Sequence, residues 1–355
     1  LYGAENVFDF SLGNPNVPAP AAVKKAIREI LEEEDPIVLH GYTNSNAGYE
    51  DVRQAVAESL NERFGTAFAA HNITMTVGAA GGLNVIFKAL LNPGDEVIAF
   101  APYFGEYRSY TNNYDGVMVE ISPNTVDFQP KMDEFEAKIT PKTKIVIVNT
   151  PNNPTGFTLN REQTGRLCEL ARQRGAWIFC DEVYRGLGWN PESAKSGATA
   201  GAQRAGDNAP WIADAYEKGI SLGVLSKAYG LPGLRVGWLA CRDTALMEDV
   251  ARYKNYLSIC GATPSEALAL VALRHGEHLL AKNRGIISEN LKTADAFFAR
   301  HAHLFTYNRP QAGPIGFPRI RLSEPVADFC ERLAHEAGVL LLPGSVYGIK
   351  EPYFR

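Results

Sequence analysis

Long apolar runs, a strong charge of either sign, an even set of cysteines and the glycine fingerprints of nucleotide-binding proteins are all missing from this 355-residue chain. No uninterrupted apolar stretch approaches the roughly 20 residues that span a bilayer, and no basic segment followed by an apolar one opens the chain, so it reads as a soluble protein. The five cysteines, Cys168, Cys180, Cys241, Cys260 and Cys330, are scattered and mostly embedded in apolar runs. That distribution argues against a disulfide framework and for reduced thiols in a cytoplasmic setting. A formal charge of −5 gives no electrostatic reason to expect nucleic acid or anionic membrane, and a small-molecule partner is favoured. Neither a GxGxxG fingerprint nor a GKS or GKT phosphate loop occurs.

What is present is a long α/β alternation. Seven short apolar runs, ITMTV (73–77), EVIAF (96–100), VMVEI (117–121), KIVIVN (144–149), AWIFC (176–180), ISLGVL (220–225) and RVGWLA (235–240), alternate with helical patterns at 79–91, 105–113, 133–139 and 161–174. Such alternation predicts an α/β fold with a mainly parallel, doubly wound seven-stranded sheet. Thr158 or Asn160 is available to start the helix at 161. Beyond residue 241 the texture changes to helices at 243–257, 263–275 and 277–300, a helix near 326–337 and short extended pieces, which suits a smaller α+β domain. The expected division is an N-terminal arm and small-domain segment (1–40, with a helix at 20–34), a large domain (41–250) and a C-terminal small domain (251–355). The polar tract 192–209 reads as a mobile surface loop, and the connection from Arg185 to Gly219 as a long one.

The chemistry-bearing stretches fall at strand ends, where open parallel sheets gather ligands. TVGAAGGLN (76–84) passes from a strand through glycines into a helix, so the N–H groups of Gly78, Ala79 and Ala80 are placed to hold a phosphate. Taken alone, such a turn is more often tight packing. NTPNNPTG (149–156) is a rigid turn able to fix an asparagine toward a ligand, though an ordinary turn reads the same way. DEVY (181–184) sets Asp181 directly after an apolar run, where a carboxylate wants either a cationic partner or a capping role. In SLGVLSKAYGLPGLRVGW (221–238), Lys227 follows a buried-looking strand and Arg235 offers a phosphate fork. A partly desolvated lysine amine is a nucleophile able to form a Schiff base. The four stretches together ask for a phosphorylated, carbonyl-bearing cofactor with a protonatable ring nitrogen, and pyridoxal 5′-phosphate (PLP) has those features.

Through PNNPTG, DEVY and SKAYGLPGLRVGW, in that order and at the family's intervals, essentially the whole chain resembles the class I/II aminotransferases of the fold-type I PLP superfamily, which are aspartate aminotransferase-like. The resemblance implies a transferase moving an amino group between an L-amino acid and a 2-oxo acid through a Lys227 Schiff base. It implies Asp181 beside the pyridinium nitrogen, Tyr184 and Asn153 at the ring 3′-oxygen, and Phe104 of APYF stacked on the ring. Gly78, Ala79, Ala80 and Arg235 would hold the phosphate, with help from Ser226. Arg355 would clamp the substrate α-carboxylate, near Asn153 and Gly13 of GNPN. HGYTNSNAG (40–48) is similar to the family's interface loop, which implies a homodimer in which Tyr42 reaches the neighbouring phosphate. Two positions depart from the family: Val224 and Ala80 stand where hydroxyl residues are common. Because the chain opens on Leu1 and stops on Arg355 within an apparent strand, the sequence is expected to be part of a longer gene product.

Competing readings are weighed against this one. GISLG (219–223) satisfies the G-x-S-x-G hydrolase motif, but the strand pattern runs straight through Ser221 where an elbow is needed. His275 and His278 have helical spacing without an evident third metal ligand. A PLP-dependent lyase or amino-acid cyclase would use the same constellation, and a non-catalytic cofactor-binding module the same fold. Arg108, near Phe104, is a candidate for a second carboxylate contact.

Overall fold

The computed structural model describes residues 2–15, 17–188 and 209–355. Of the polar tract 192–209, only Ala209 lies among the described residues, so the loop expected there is outside them.

The N-terminal arm carries a two-residue strand, β1 (Phe8–Asp9), followed by a helix over Ala21–Glu33. The central sheet holds β2 (Ile73–Val77), β3 (Glu96–Phe100), β4 (Val117–Ile121), β5 (Thr143–Asn149), β6 (Trp177–Asp181), β7 (Gly219–Val224) and β8 (Val236–Cys241). Its order is β2-β8-β7-β6-β5-β3-β4. Strands β4, β3, β5, β6 and β7 run parallel, and β8 lies antiparallel between β7 and β2. The seven expected runs are thus the seven strands, each within a residue or so of its expected bounds. Every residue of β6, β7 and β8 is buried, because helices cover both faces and an alternating pattern would leave polar groups in the core. One apolar cluster fills each face of the sheet.

Helix boundaries have local causes. Asn160 starts the helix Arg161–Arg174: its side chain accepts the Gln163 N–H at 2.8 Å while Gln163 accepts the Asn160 N–H at 2.9 Å. That helix stops at Gly175, whose φ of +68° ends the turn in the left-handed region. A helix over Glu50–Phe64 has no counterpart in the sequence reading. It buries Val52, Val56, Ala57 and Leu60 on one face and ends at Gly65. Its apolar positions are diluted by eight charged or amide residues, which obscures the helical period.

Beyond β8, helices cover Thr244–Leu257, Thr263–Arg274, Gly276–Arg300 and Val326–Ala337. The C-terminal part also contains β9 (Phe305–Thr306), β10 (Arg319–Ile320) and β11 (Val339–Leu340). Its own small core is built from Ile320, Val326, Cys330 and Phe354. Strand β1 pairs parallel with β11, Phe8 opposite Val339, so the arm is tied to the C-terminal part. Arg355 continues an extended pairing, exchanging backbone hydrogen bonds with Leu342. The arm and the C-terminal part are thereby joined.

Candidate active site

Strand register builds the carboxyl rim of the sheet. Asn149 and Asp181 end β5 and β6 side by side, and Asp181 lies opposite Leu222 of β7. The buried Asn149 amide donates to the Asp181 carbonyl at 2.9 Å, and its Oδ1 accepts the Asn153 N–H at 2.6 Å. This holds the TPNNPTG turn, with cis peptide bonds before Pro151 and Pro154, against the sheet. Sequence reasoning passed over Asn149; its signal was the last position of a buried strand, where a polar side chain needs a partner.

Asp181 is buried. Its Oδ2 accepts the Tyr107 hydroxyl at 2.6 Å and its Oδ1 the Val183 N–H at 3.3 Å. Burial pushes the carboxyl pKa up, opposed by the Tyr107 and Val183 hydrogen bonds and by the positive charge of Lys227. Tyr107 also escaped the sequence reading. It lies three residues after Phe104, on the same side of the turn into helix Glu106–Asn112, and the two rings meet edge to face at 5.5 Å.

Lys227 stands three residues beyond β7, half-buried, and its Nζ donates to the Gly13 carbonyl at 2.5 Å. Its pKa is lowered, first by burial and then by the neighbouring Arg355 and Arg235, with Asp181 opposing them. Arg355 Nη2 donates to the Ser11 carbonyl at 2.5 Å, and Nη1 donates to Asn153 Oδ1 at 3.4 Å. Its guanidinium rests over the Tyr347 ring at 5.5 Å. A Cβ at Gly13 would lie 3.4 Å from Lys227 Nζ and 3.9 Å from Arg355 Nη1, so the GNPN segment meets both cations. Tyr184 is buried, its hydroxyl pKa raised by burial and then by Asp181, with Arg355 opposing. No hydrogen bond to its hydroxyl is found among the described residues.

Arg235 adopts a left-handed φ of +53°, which is uncommon for a residue with a side chain. The conformation lets Nη1 donate to the Pro232 carbonyl at 3.0 Å and reach Ser226 Oγ at 3.4 Å. The guanidinium then sits on Gly78, the first residue of helix Gly78–Leu90. There φ is +64°, and a Cβ would come within 2.4 Å of Arg235 Nη2. The positive φ favours glycine at that position, and a Cβ there would displace the Arg235 guanidinium. The N–H groups of a first helical turn with a guanidinium beside them are suited to an anion. Ala79 and Ala80 add no hydroxyl to it. Val224 is buried and faces Gly237 in the core.

Other sequence candidates lie apart. Tyr42 is 80% exposed. Arg108 is occupied by an ion pair with Glu120 and a 2.8 Å hydrogen bond to the Tyr103 hydroxyl, which removes it as a ready carboxylate contact. Ser221 is wholly buried mid-strand opposite Ala240, and its Oγ accepts the Ala213 N–H at 3.1 Å, so there is no nucleophile elbow. Glu182, next to Asp181, is likewise buried, and Arg185 donates to it at 2.6 Å. The Arg185 guanidinium lies over Phe64 and Trp211, 5.1 Å from each ring.

A guanidinium beside the helix start at Gly78, an amine at Lys227 held by a backbone carbonyl, and, among the described residues, a buried carboxylate without an ion-pair partner and a tyrosine hydroxyl without a hydrogen bond fit a ligand bearing phosphate, carbonyl and basic ring nitrogen. The fold and these groups define a PLP enzyme of fold type I. The chain belongs to the family described as aminotransferase class I and II, which matches residues 5–355. It is 28% identical to an aspartate aminotransferase of Thermotoga maritima, over 97% of this chain and 84% of the relative. It is 28% identical to an aromatic-amino-acid aminotransferase of Thermococcus litoralis, over 98% and 85% respectively. Among solved structures, an aminotransferase from Eubacterium rectale superposes with a TM-score of 0.81 at 30% identity, covering 99% of this chain and 85% of that one. A PLP-dependent aminotransferase from Streptococcus suis gives 0.79 at 28% identity, covering 94% and 81%. The protein is a PLP-dependent aminotransferase acting on amino acids and 2-oxo acids. These relatives give no support to a lyase, a cyclase or a non-catalytic module.

Proposed function

We propose that Lys227 is the catalytic amine of this aminotransferase and that Arg355 seats the substrate beside it. The observation that carries this reading is the meeting of Lys227 Nζ, Arg355 and the Gly13 segment within hydrogen-bond or contact distance. When bound, PLP supplies a carbonyl carbon for amine capture and a ring that withdraws electrons from the substrate α-carbon.

Burial and two neighbouring guanidinium groups keep a larger share of Lys227 uncharged at neutral pH, as attack requires. The same Nζ, when free, would take and hold the substrate Cα proton. Arg355 grips the α-carboxylate as a fork, held in place by Asn153 and the Ser11 carbonyl. Asp181 would lie at the ring nitrogen and favour its protonated form, Tyr184 and Asn153 would donate to the ring oxygen, and Phe104 would cover a ring face. Gly78, Ala79, Ala80, Ser226 and Arg235 would hold the phosphate.

A homodimer belongs to the same proposal. Tyr42 is exposed together with Ile37, Val38, Tyr256, Leu257 and Ile259, an apolar set that a second copy would cover. Lys254, buried, donates to the Asn46 carbonyl at 2.5 Å, and Glu266 accepts the Tyr49 N–H at 2.9 Å, so the loop that displays Tyr42 is fixed from below.

The test is isotope transfer. With a panel of 15N-labelled amino acids and an unlabelled 2-oxo acid, the label is expected in the amino acid formed from the acceptor, and this transfer is lost in Lys227→Ala. Label released as ammonia, with pyruvate, would overturn transamination in favour of a lyase.

A further inference from the structure

We propose that Tyr107 is a positioning residue that aims the Asp181 carboxylate at the ring nitrogen of bound PLP, an inference resting on the role given to Asp181 above. Tyr107 is among the most completely buried side chains, and its hydroxyl donates to Asp181 Oδ2 at 2.6 Å, a charge-assisted distance. It is the one side-chain donor to that carboxylate among the described residues; the other contact, Val183 N–H to Oδ1, is longer at 3.3 Å.

Tyr107 is itself held. It sits in helix Glu106–Asn112, with its ring edge to face with Phe104 at 5.5 Å and stacked with Tyr103 at 6.4 Å. Each carboxylate oxygen accepts two hydrogen bonds. One donor on each oxygen stops rotation of the group and leaves lone pairs for a ligand. A tyrosine achieves this without cancelling the negative charge, whereas the arginine on Glu182 uses that charge up. Phe104 and Tyr107 thus divide one turn of chain between them: the first is the expected cover for the ring, and the second fixes the acid at its edge.

The experiment is a double-mutant cycle on PLP affinity, read by visible absorbance during titration of the cofactor-free full chain. Tyr107→Phe is expected to weaken PLP binding about tenfold, and the same substitution in an Asp181→Asn background to change it by less than about twofold. Melting of the cofactor-free variants, followed in parallel, separates this from loss of fold. Tyr107→His, which keeps a ring donor, is the second variant and should bind PLP more tightly than Tyr107→Phe. Unchanged affinity in Tyr107→Phe, or equal losses in both backgrounds, overturns the assignment alone. A wild-type chain that takes up no PLP overturns it together with the reading of the site.

Discussion

Asp181 and Glu182 are consecutive carboxylates, both buried, at the end of the same strand, yet their surroundings are opposite. Glu182 is ion-paired: Arg185 donates to its Oε1 at 2.6 Å, and two aromatic rings lie against the guanidinium. Asp181 is open: a tyrosine hydroxyl and a backbone N–H touch it, and no cation pairs with it among the described residues. A buried acid with its own arginine is part of the scaffold, because removing one member strands the other's charge. A buried acid held by a neutral donor keeps its charge available to a ligand. Adjacent residues in one motif therefore separate stability from chemistry.

The sharpest way to break that contrast is to delete the amine proposed as catalytic. Lys227→Ala is expected to lower kcat by at least about 10³-fold while leaving the melting temperature of the cofactor-free protein close to wild type. Next come the two acids. Asp181→Asn should lower kcat/KM about 10²-fold with little loss of stability. Glu182→Gln should do the reverse, costing about 3 kcal/mol in urea unfolding because the buried Arg185 loses its counter-charge, with kcat nearly unchanged in the folded protein. Comparable kinetic losses from both substitutions would erase the distinction.

Arg355→Lys is expected to raise KM about tenfold, since a lysine cannot reproduce the two-pronged grip on a carboxylate. Arg355→Met carries a pH consequence as well. Burial is the larger cause of the lowered Lys227 pKa and Arg355 the next, so removing the guanidinium lets that pKa rise toward its ordinary value. Less free amine is then present at a given pH. The half-point of Lys227 capture by PLP, followed from pH 6 to 10, should move to higher pH, and an unmoved half-point would contradict the coupling. The smallest effect expected is Tyr42→Phe, a loss of PLP affinity of about fivefold, for one hydrogen bond to an exposed phosphate edge. It would be seen only if two copies assemble.

The sheet was legible in the sequence because strands covered on both faces must be apolar nearly throughout, as AWIFC and RVGWLA are. That Asp181, Asn153 and Lys227 fall at strand ends was legible because motif spacing carries them. What escaped was set by three-dimensional approach. Tyr107 and Asn149 act through hydrogen bonds across elements, one to a carboxylate 74 residues away. Arg108 looked available because it follows Phe104 closely, yet the neighbouring strand β4 brings Glu120 to it. Glu50–Phe64 escaped for a different reason: a surface helix with a thin apolar stripe resembles polar connection.

The most direct test of the central claim is borohydride reduction of the PLP-loaded protein followed by peptide mass analysis. The expected result is a reduced cofactor mass fixed on the peptide that contains Lys227, with the visible absorbance lost in step. Attachment at any other lysine, or a colourless protein that turns over amino acids without PLP, would contradict it.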